Sequence, residues 1–448
     1  MKPLKIGISG VRGIVGETFT PELAVEFAQA FGTYLEGGKI LICRDTRPSG
    51  PMVRAAVAAG LLSTGCEVID LGICPTPTMQ LAVRHFKAAG GISITAGHNP
   101  LPWNALKFVR GDGLYLNTTQ AEELLDIFHQ GEFTKAKWDE IQPRVETRDA
   151  IEPHIEVLNR TFDVEAIRAR RLTVAVDCCN GACSLLSPRW LDELGCRVLA
   201  INDEVSLPFP HNPEPTRETM AQLRVVVKAG QADIGFAHDA DGERLGIVTE
   251  TGEALSEEMT LAIAAEIKLS RTPGVVVTHL STSRAIEAIA ARYNSTVVRT
   301  PVGQAHISEA MLEHNAVLGG EGNGAVAIPE IHATNDAAAT IGLLLEHIAK
   351  TGKRISEIAA AVPRYTMLKH YVPVAPNLLF SVLNEVRREA EATNAEEVDL
   401  SDGIKLSWPD GWLHVRASNT ESMIRVIAEA ESAARAEELM GWAVDRLK

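Results

Sequence analysis

Three carboxylates stand on alternate residues, Asp239, Asp241 and Glu243, and Arg244 follows directly. On an extended segment that spacing turns all three to one side. Like charges so close repel unless a cation sits among them. Several hard oxygens suit Mg²⁺, which is held by a few carboxylates together with phosphate oxygens. The arginine adds a partner for a phosphate shared with the metal. A solvated acidic turn is the bland alternative. Residues 233–237 and 245–248 read as short buried strands, so the acidic loop hangs at a strand end, where α/β proteins bind ligands.

Three further loops carry polar groups at strand ends. In Ile94, Thr95, Ala96, Gly97, His98, Asn99, Pro100, the imidazole has Lys107 a short way downstream. A histidine and a lysine together can donate and accept protons for sugar hydroxyls. His98 alone reads equally as a turn residue bonded to backbone. The glycine-rich stretch 318–324 lacks the spacing of a dinucleotide loop. Its glycines let a polyol approach while Glu321 and Asn323 bind hydroxyls; a flexible turn is the other reading. Arg416, Ser418, Asn419, Thr420 and Arg425 set hydroxyl and amide donors between two guanidinium groups, a composition suited to phosphate. Arg12 lies on a glycine-rich turn and reads alone as a turn residue.

The elements that must position these loops form an α/β pattern. Strands at residues 39–43, 66–71, 91–95, 172–177, 197–201, 274–278 and 296–300 alternate with helices at 51–63, 76–86, 185–194, 282–293 and 303–313. Such alternation predicts mostly parallel sheets covered by helices. The expected division is three similar α/β domains, 1–150, 151–252 and 253–368, and a C-terminal α+β domain, 369–448. The last has strands at 404–408, 411–416 and 423–428 and a helix at 432–447. At 448 residues the chain exceeds what one core supports. Its 46% hydrophobic and 23% charged residues are a globular balance. A formal charge of −15 argues against a nucleic-acid partner, and the apolar runs are too short to span a membrane. Seven cysteines without paired spacing read as free thiols in a reducing cytoplasm. The cluster Cys178, Cys179, Cys183 reads as a strand-to-helix turn rather than a metal site.

Together, and in this order, the loops resemble the α-D-phosphohexomutase superfamily over essentially the whole chain. Residues 43–50, 72–78 and 300–303 match further. The resemblance implies four domains lining a central cleft and an isomerase that moves phosphate between the 1 and 6 positions of a hexose phosphate. It implies Mg²⁺ on Asp239, Asp241 and Glu243, and a hexose 1,6-bisphosphate intermediate that also serves as activator. Arg12 and Arg244 would stabilise the transferring phosphoryl group, His98 and Lys107 would be acid and base, and Glu321 with Asn323 would hold the sugar. Arg416, Ser418, Asn419, Thr420 and Arg425 would grip the non-reacting phosphate. The implied partner is a phosphosugar, bound by a monomer or homodimer. The 321–324 loop and residues 103–107 lean towards the phosphoglucosamine mutase branch; the phosphomannomutase/phosphoglucomutase branch is the alternative.

One departure touches the chemistry itself. Family members carry serine, the phosphate carrier, where this chain has Gly97. Glu243 replaces a third aspartate, Ala325 a frequent histidine, and Thr334 with Asn335 a common Gly-Arg pair. Gly97 leaves three readings open. The chain is a mutase in which Thr95, Ser93, a water, a bound phosphate or free bisphosphate replaces the phosphoserine. Alternatively it is a non-catalytic sugar-phosphate-binding protein, or a catalytic parent into which glycine was introduced.

Overall fold

Ile40, Leu41, Ile42 and Cys43 follow one another without a polar break, and a strand apolar on both faces has to be covered on both. The computed structural model describes residues 4–7, 10–142, 145–375, 378–390, 393–417 and 423–447. In it these four residues are fully buried within Lys39–Arg44, part of a seven-stranded sheet. The sheet order is Lys5–Gly7, Gly10–Ile14, Trp103–Arg110, Gly90–Ile94, Lys39–Arg44, Glu67–Ile73, Glu146–Thr147. Pairs from Gly90–Ile94 to Glu146–Thr147 are parallel, and the rest antiparallel.

Two four-stranded sheets repeat one plan. The first runs Leu245–Thr249, Ile234–His238, Thr173–Asp177, Arg197–Ile201; the second runs Thr296–Thr300, Val275–His279, Leu318–Glu321, Ala325–Ala327. Each has three parallel strands and one antiparallel return at an edge. The C-terminal part of the chain forms an all-antiparallel sheet, Thr366–Pro373, Met423–Ala430, Gly411–Ala417, Ile404–Trp408, Glu397–Asp399.

Four antiparallel pairs carry the polar loops. Gly90–Ile94 returns as Trp103–Arg110, Ile234–His238 as Leu245–Thr249, Leu318–Glu321 as Ala325–Ala327, and Gly411–Ala417 as Met423–Ala430. Each loop expected to do chemistry connects one such pair; Arg12 alone lies elsewhere, on Gly10–Ile14.

The first three sheets share a continuous apolar core running from Leu41 through Trp190 and Leu261 to Ile341. The helix Ala337–Thr351, buried from Ala337 to Ile348, runs through it. Asp336 caps that helix by accepting from the Ala339 N–H, and its other oxygen meets His154 Nε2 at 3.0 Å and His332 Nε2 at 3.1 Å. His154 Nδ1 continues to Thr78 at 2.8 Å, so one buried chain of polar groups ties residues from three sheets' regions. Burial opposes the Asp336 charge, but the two imidazoles outweigh it and hold the carboxyl far below its usual range.

The structure corrects several expectations. Residues 239–244 form a turn rather than an extended run, so alternation is not what brings their carboxylates together. The helix expected at 185–194 is a 3-10 turn, Ala182–Leu185, followed by Ser187–Glu193 with a proline in its first turn. The helix expected at 282–293 starts only at Ala285. Thr366–Pro373, Leu379–Ala390 and Glu397–Asp399 were not expected. Thr366–Pro373 belongs to the antiparallel sheet although a division was expected after residue 368. Among the described residues, no helix is long and apolar enough to cross a membrane.

Candidate active site

The loop after Gly90–Ile94 is fixed by a side chain from a neighbouring strand end. Arg47 is fully buried. Its Nε donates to Asp45 Oδ2 at 3.0 Å, Nη1 to the carbonyls of Pro100 and Trp103 at 2.7 and 3.0 Å, and Nη2 to those of Gly97 and Asn99 at 2.8 and 2.7 Å. A guanidinium has five N–H donors in a rigid fork, and here all are used to shape one loop. Gly97 sits at φ +52°, the left-handed region. A Cβ there would lie 3.3 Å from Asp241 Oδ1. Thr95 Oγ1 donates to Asp45 Oδ2 at 2.7 Å and accepts from the Gly97 N–H at 3.0 Å. Ser93 Oγ pairs with Thr76 Oγ1 at 2.9 Å. Both residues are 1% exposed, so neither hydroxyl reaches the cleft as a substitute for serine.

The acidic turn meets this loop face to face. Gly242 has φ +76°, and a Cβ on it would strike Cys183 Sγ at 2.6 Å, so the turn closes only with glycine. Asp239 Oδ1 accepts from the backbone N–H groups of Glu243 and Arg244 at 3.0 and 3.1 Å. Asp241 Oδ2 takes the Lys107 ammonium at 2.6 Å and Thr76 Oγ1 at 3.1 Å. Lys107 also donates to Glu243 Oε2 at 2.5 Å, while Tyr115 Oη donates to Glu243 Oε1 at 2.5 Å. The longer glutamate thus reaches two donors from the first sheet's region.

Burial and the neighbouring Asp241 charge push Asp239 well above the carboxylate range. Burial also opposes the Asp241 charge, but Lys107 outweighs it and holds Asp241 low. Burial would lower Lys107, yet its two carboxylates raise it and keep the ammonium charged. His98 behaves oppositely. Burial, then the charges of Arg244, Arg12, Lys107 and Arg425, drive its pKa well below the usual value and leave it a neutral imidazole. The charges of four cations from three sheets therefore act on one histidine. Arg12 Nη1 also donates to Asn99 Oδ1 at 3.1 Å, and Arg244 Nη1 to Glu214 Oε1 at 2.8 Å.

The third loop is stitched to the second by backbone, the Leu245 N–H donating to the Gly324 carbonyl at 2.9 Å. Asn323 Nδ2 donates to Glu321 Oε2 at 2.6 Å, and its Oδ1 accepts from the Ala325 N–H at 3.2 Å. Beneath the loop, Glu258 accepts from the Ser283 N–H at 3.1 Å and from Lys369 at 3.1 Å.

On the last sheet Arg416 and Arg425 are paired directly across the ladder. Arg416 Nε donates to Asp402 Oδ2 at 3.0 Å, while its buried Nη2 has no hydrogen-bond partner among the described residues. Two like charges opposite each other are unfavourable in a ladder and suit an anion. Ser418, Asn419 and Thr420 lie outside the described residues.

Among the described residues, no three His, Cys, Asp or Glu side chains are gathered tightly enough to hold a metal. The cause is visible: Lys107 bridges Asp241 and Glu243. The donor set nonetheless fits a divalent cation. Asp241 Oδ1 is buried without a hydrogen-bond partner among the described residues, and Asp239 is strained by its like-charged neighbours. Arg47, Asp45, Tyr115, Thr76, Glu214 and Asp402 were missed as site residues. Stretches 43–50 and 72–78 contain the first, second and fourth of these, but sequence shows a residue's type and not its target.

Comparison with known proteins finds four matched regions. Family descriptions of phosphoglucomutase/phosphomannomutase match as alpha/beta/alpha domain I over residues 3–135, domain II over 152–252, domain III over 256–365 and the C-terminal domain over 372–442. The chain is 40% identical to a phosphoglucomutase/phosphomannomutase of Thermococcus kodakarensis, covering 99% of this chain and 98% of that one. It is 35% identical to a "Probable phosphoglucosamine mutase" of Methanopyrus kandleri, covering 98% and 96%. A solved phosphoglucomutase/phosphomannomutase family protein of Burkholderia thailandensis superposes with a TM-score of 0.86 at 26% identity, over 99% of this chain and 96% of that one.

Proposed function

This chain belongs to the phosphoglucomutase/phosphomannomutase family, within the α-D-phosphohexomutases, and we propose that it isomerises a hexosamine phosphate between its 6- and 1-phosphates. As a phosphohexomutase it is an isomerase. The observation that carries the reading is that Arg12, bonded to Asn99, and Lys107, bonded to Asp241 and Glu243, set cations between the His98 loop and the acidic turn that carries Arg244. Such cations neutralise a phosphoryl group in flight, and phosphoryl transfer rests on positioning and electrostatics.

In this reading Arg416 and Arg425 anchor the phosphate that does not react. Glu321 and Asn323 meet the sugar hydroxyls, and between half-reactions the bisphosphate turns so that its two phosphates exchange places between this anchor and the site of transfer. His98 accepts hydrogen bonds or a proton from the attacking hydroxyl, because it is uncharged. Lys107 is the charged partner that supplies a proton to a leaving oxygen. Asp239, Asp241 and Glu243 would hold Mg²⁺, which when bound supplies positive charge for phosphate oxygens. Hexose 1,6-bisphosphate is the expected activator and, with glycine at 97, stands in for the phosphoserine as the source of the phosphoryl group. The seven buried free thiols support a cytoplasmic setting.

A coupled assay tests the reading with glucosamine 6-phosphate against mannose and glucose 6-phosphates, each with and without glucose 1,6-bisphosphate. Preferred turnover of the amino sugar is expected. Gly97 favours a second reading, in which the cleft binds a phosphosugar without transferring its phosphate. Tight binding by calorimetry with no turnover on any of the three sugars, with or without bisphosphate, would select it.

A further inference from the structure

We propose that Thr282 is a positioning residue for sugar recognition: its hydroxyl holds the Gly322 N–H and so aims Glu321 at the hexose. Glu321 as a sugar ligand is taken from the phosphohexomutase reading, and the device that orients it is additional.

Glu321 stands between two glycines, which offer no side chain by which neighbours can fix the backbone. Its direction therefore depends on what holds residues 320 and 322. Two fully buried threonines do so, Thr278 on the strand Val275–His279 and Thr282 in the turn after it. Thr278 Oγ1 donates to the Gly320 carbonyl at 2.8 Å, and Thr282 Oγ1 accepts from the Gly322 N–H at 3.2 Å. The Thr278 proton also faces Thr282 Oγ1 at 2.7 Å. Thr282 gives its own proton to His279 Nδ1 at 3.1 Å, a nitrogen that also accepts from the Ser281 N–H at 3.2 Å. Burial keeps that imidazole neutral, so Nδ1 is free to accept. With one proton given and two lone pairs filled, the Thr282 hydroxyl is saturated, and its place is fixed.

The turn that carries Thr282 is stiff. Arg299 Nη1 donates to the carbonyls of His279 and Thr282 at 2.9 and 2.8 Å, and its Nε to Glu287 Oε1 at 2.7 Å. From the last sheet, Lys405 Nζ reaches the Leu280 carbonyl at 2.6 Å, and His414 Nδ1 meets Ser281 Oγ at 2.8 Å. Loss of the Thr282 hydroxyl therefore frees Gly322 and leaves the turn in place. Gly322 is buried, and a buried N–H without a partner is costly, so the loop shifts to find one. Glu321 moves with it, and Asn323 follows because its Nδ2 is bonded to Glu321 Oε2 at 2.6 Å. The residues expected to meet the sugar hydroxyls thus lose their aim together, while Arg416 and Arg425 stay on their own ladder.

The test is calorimetry on the full chain with glucosamine 6-phosphate and, separately, inorganic phosphate, each variant checked for folding by its thermal melt. Thr282→Val keeps the shape and removes the oxygen. It should weaken glucosamine 6-phosphate about tenfold, the size of one hydrogen bond, and leave inorganic phosphate unchanged. Thr282→Ala makes the same comparison if the valine variant does not fold. Thr282→Ser keeps the oxygen and should restore the affinity. In a Glu321→Ala background Thr282→Val should have no further effect, because residues that act through one contact are not additive. Equal weakening of both ligands, additive losses in the double variant, or a serine variant as weak as valine overturns the positioning role and leaves the mutase reading intact. The expected pattern in a chain that binds the sugar phosphate without turning it over supports Thr282 and overturns the mutase reading alone. No binding of glucosamine 6-phosphate by the unsubstituted chain overturns both.

Discussion

At the scale of single residues, the position that organises the site is Arg47, which touches no expected ligand. Its guanidinium spans Asp45 and four loop carbonyls with no exposure to water. Removing one partner of a buried pair leaves the other charge stranded, at a cost of about 3–5 kcal/mol. Arg47→Ala should therefore lose that much in urea unfolding, and Arg47→Lys should lose a large part of it because an ammonium cannot span five acceptors. Activity should fall in both, since Gly97 and His98 lose their frame. Tyr115→Phe is a milder probe. It removes one hydrogen bond to the Glu243 carboxylate, worth about 1.5–3 kcal/mol for a charged acceptor, and unfolding measurements should show a loss of that order. The sequence pointed to Arg12, His98, Lys107, Arg244 and Arg425, because each lies in one of the motifs that stand in this order along the chain. It concealed Arg47, Tyr115 and Asp402, whose roles depend on residues 50, 128 and 14 positions away.

Between elements, function gathers at returns. A parallel strand delivers its carboxyl end to one side of the sheet, and an antiparallel neighbour brings the chain straight back, leaving a short loop there. The apolar runs at 39–43 and 172–177 were readable because parallel strands are covered on both faces. The strand Thr366–Pro373 was not, because half of its residues face solvent and its apolar residues stand in adjacent pairs rather than alternating. Nor was the 239–244 turn, whose alternating acids imitate a strand while Gly242 bends them. On the last sheet the two arginines across the ladder form a loaded pair that an anion relieves. Hydrogen bonds to a charged group contribute about 1.5–3 kcal/mol, roughly a tenfold to hundredfold change in an equilibrium constant. Arg416→Ala should accordingly raise KM for a hexose phosphate by about that factor with little change in kcat. A fall in kcat at unchanged KM would instead place Arg416 at the reacting phosphate.

Across the whole molecule, buried polar groups link the sheets and make its stability depend on pH. His238 in the second sheet, His279 in the third and His414 in the fourth are nearly inaccessible. Burial lowers them to about 4, 3 and 4, leaving them neutral. Each is bonded in that form, His238 to Ser187, His279 to Ser281 and Thr282, His414 to Ser281 and the Asp402 carbonyl. In the unfolded chain they titrate near 6.5. Below that pH the unfolded state binds protons that the folded state refuses, so their stabilisation, complete above about 6.5, is lost as pH falls towards 4. Glu258 has the opposite sign. Burial raises it to about 7, against the pull of Lys369. The folded state therefore binds its proton first, and its contribution grows as pH falls from 7 towards the unfolded carboxyl value. Each group changes the slope by about 1.4 kcal/mol per pH unit, so the three histidines outweigh the glutamate between pH 6.5 and 4.5. Urea unfolding across that interval should show stability falling as acid is added. Glu258→Gln removes the opposing proton and should steepen the fall by about 1.4 kcal/mol per pH unit. An unchanged slope in that variant would mean that Lys369 holds Glu258 ionised throughout, and that the floor beneath the 321–324 loop carries a charge pair at every pH the protein survives.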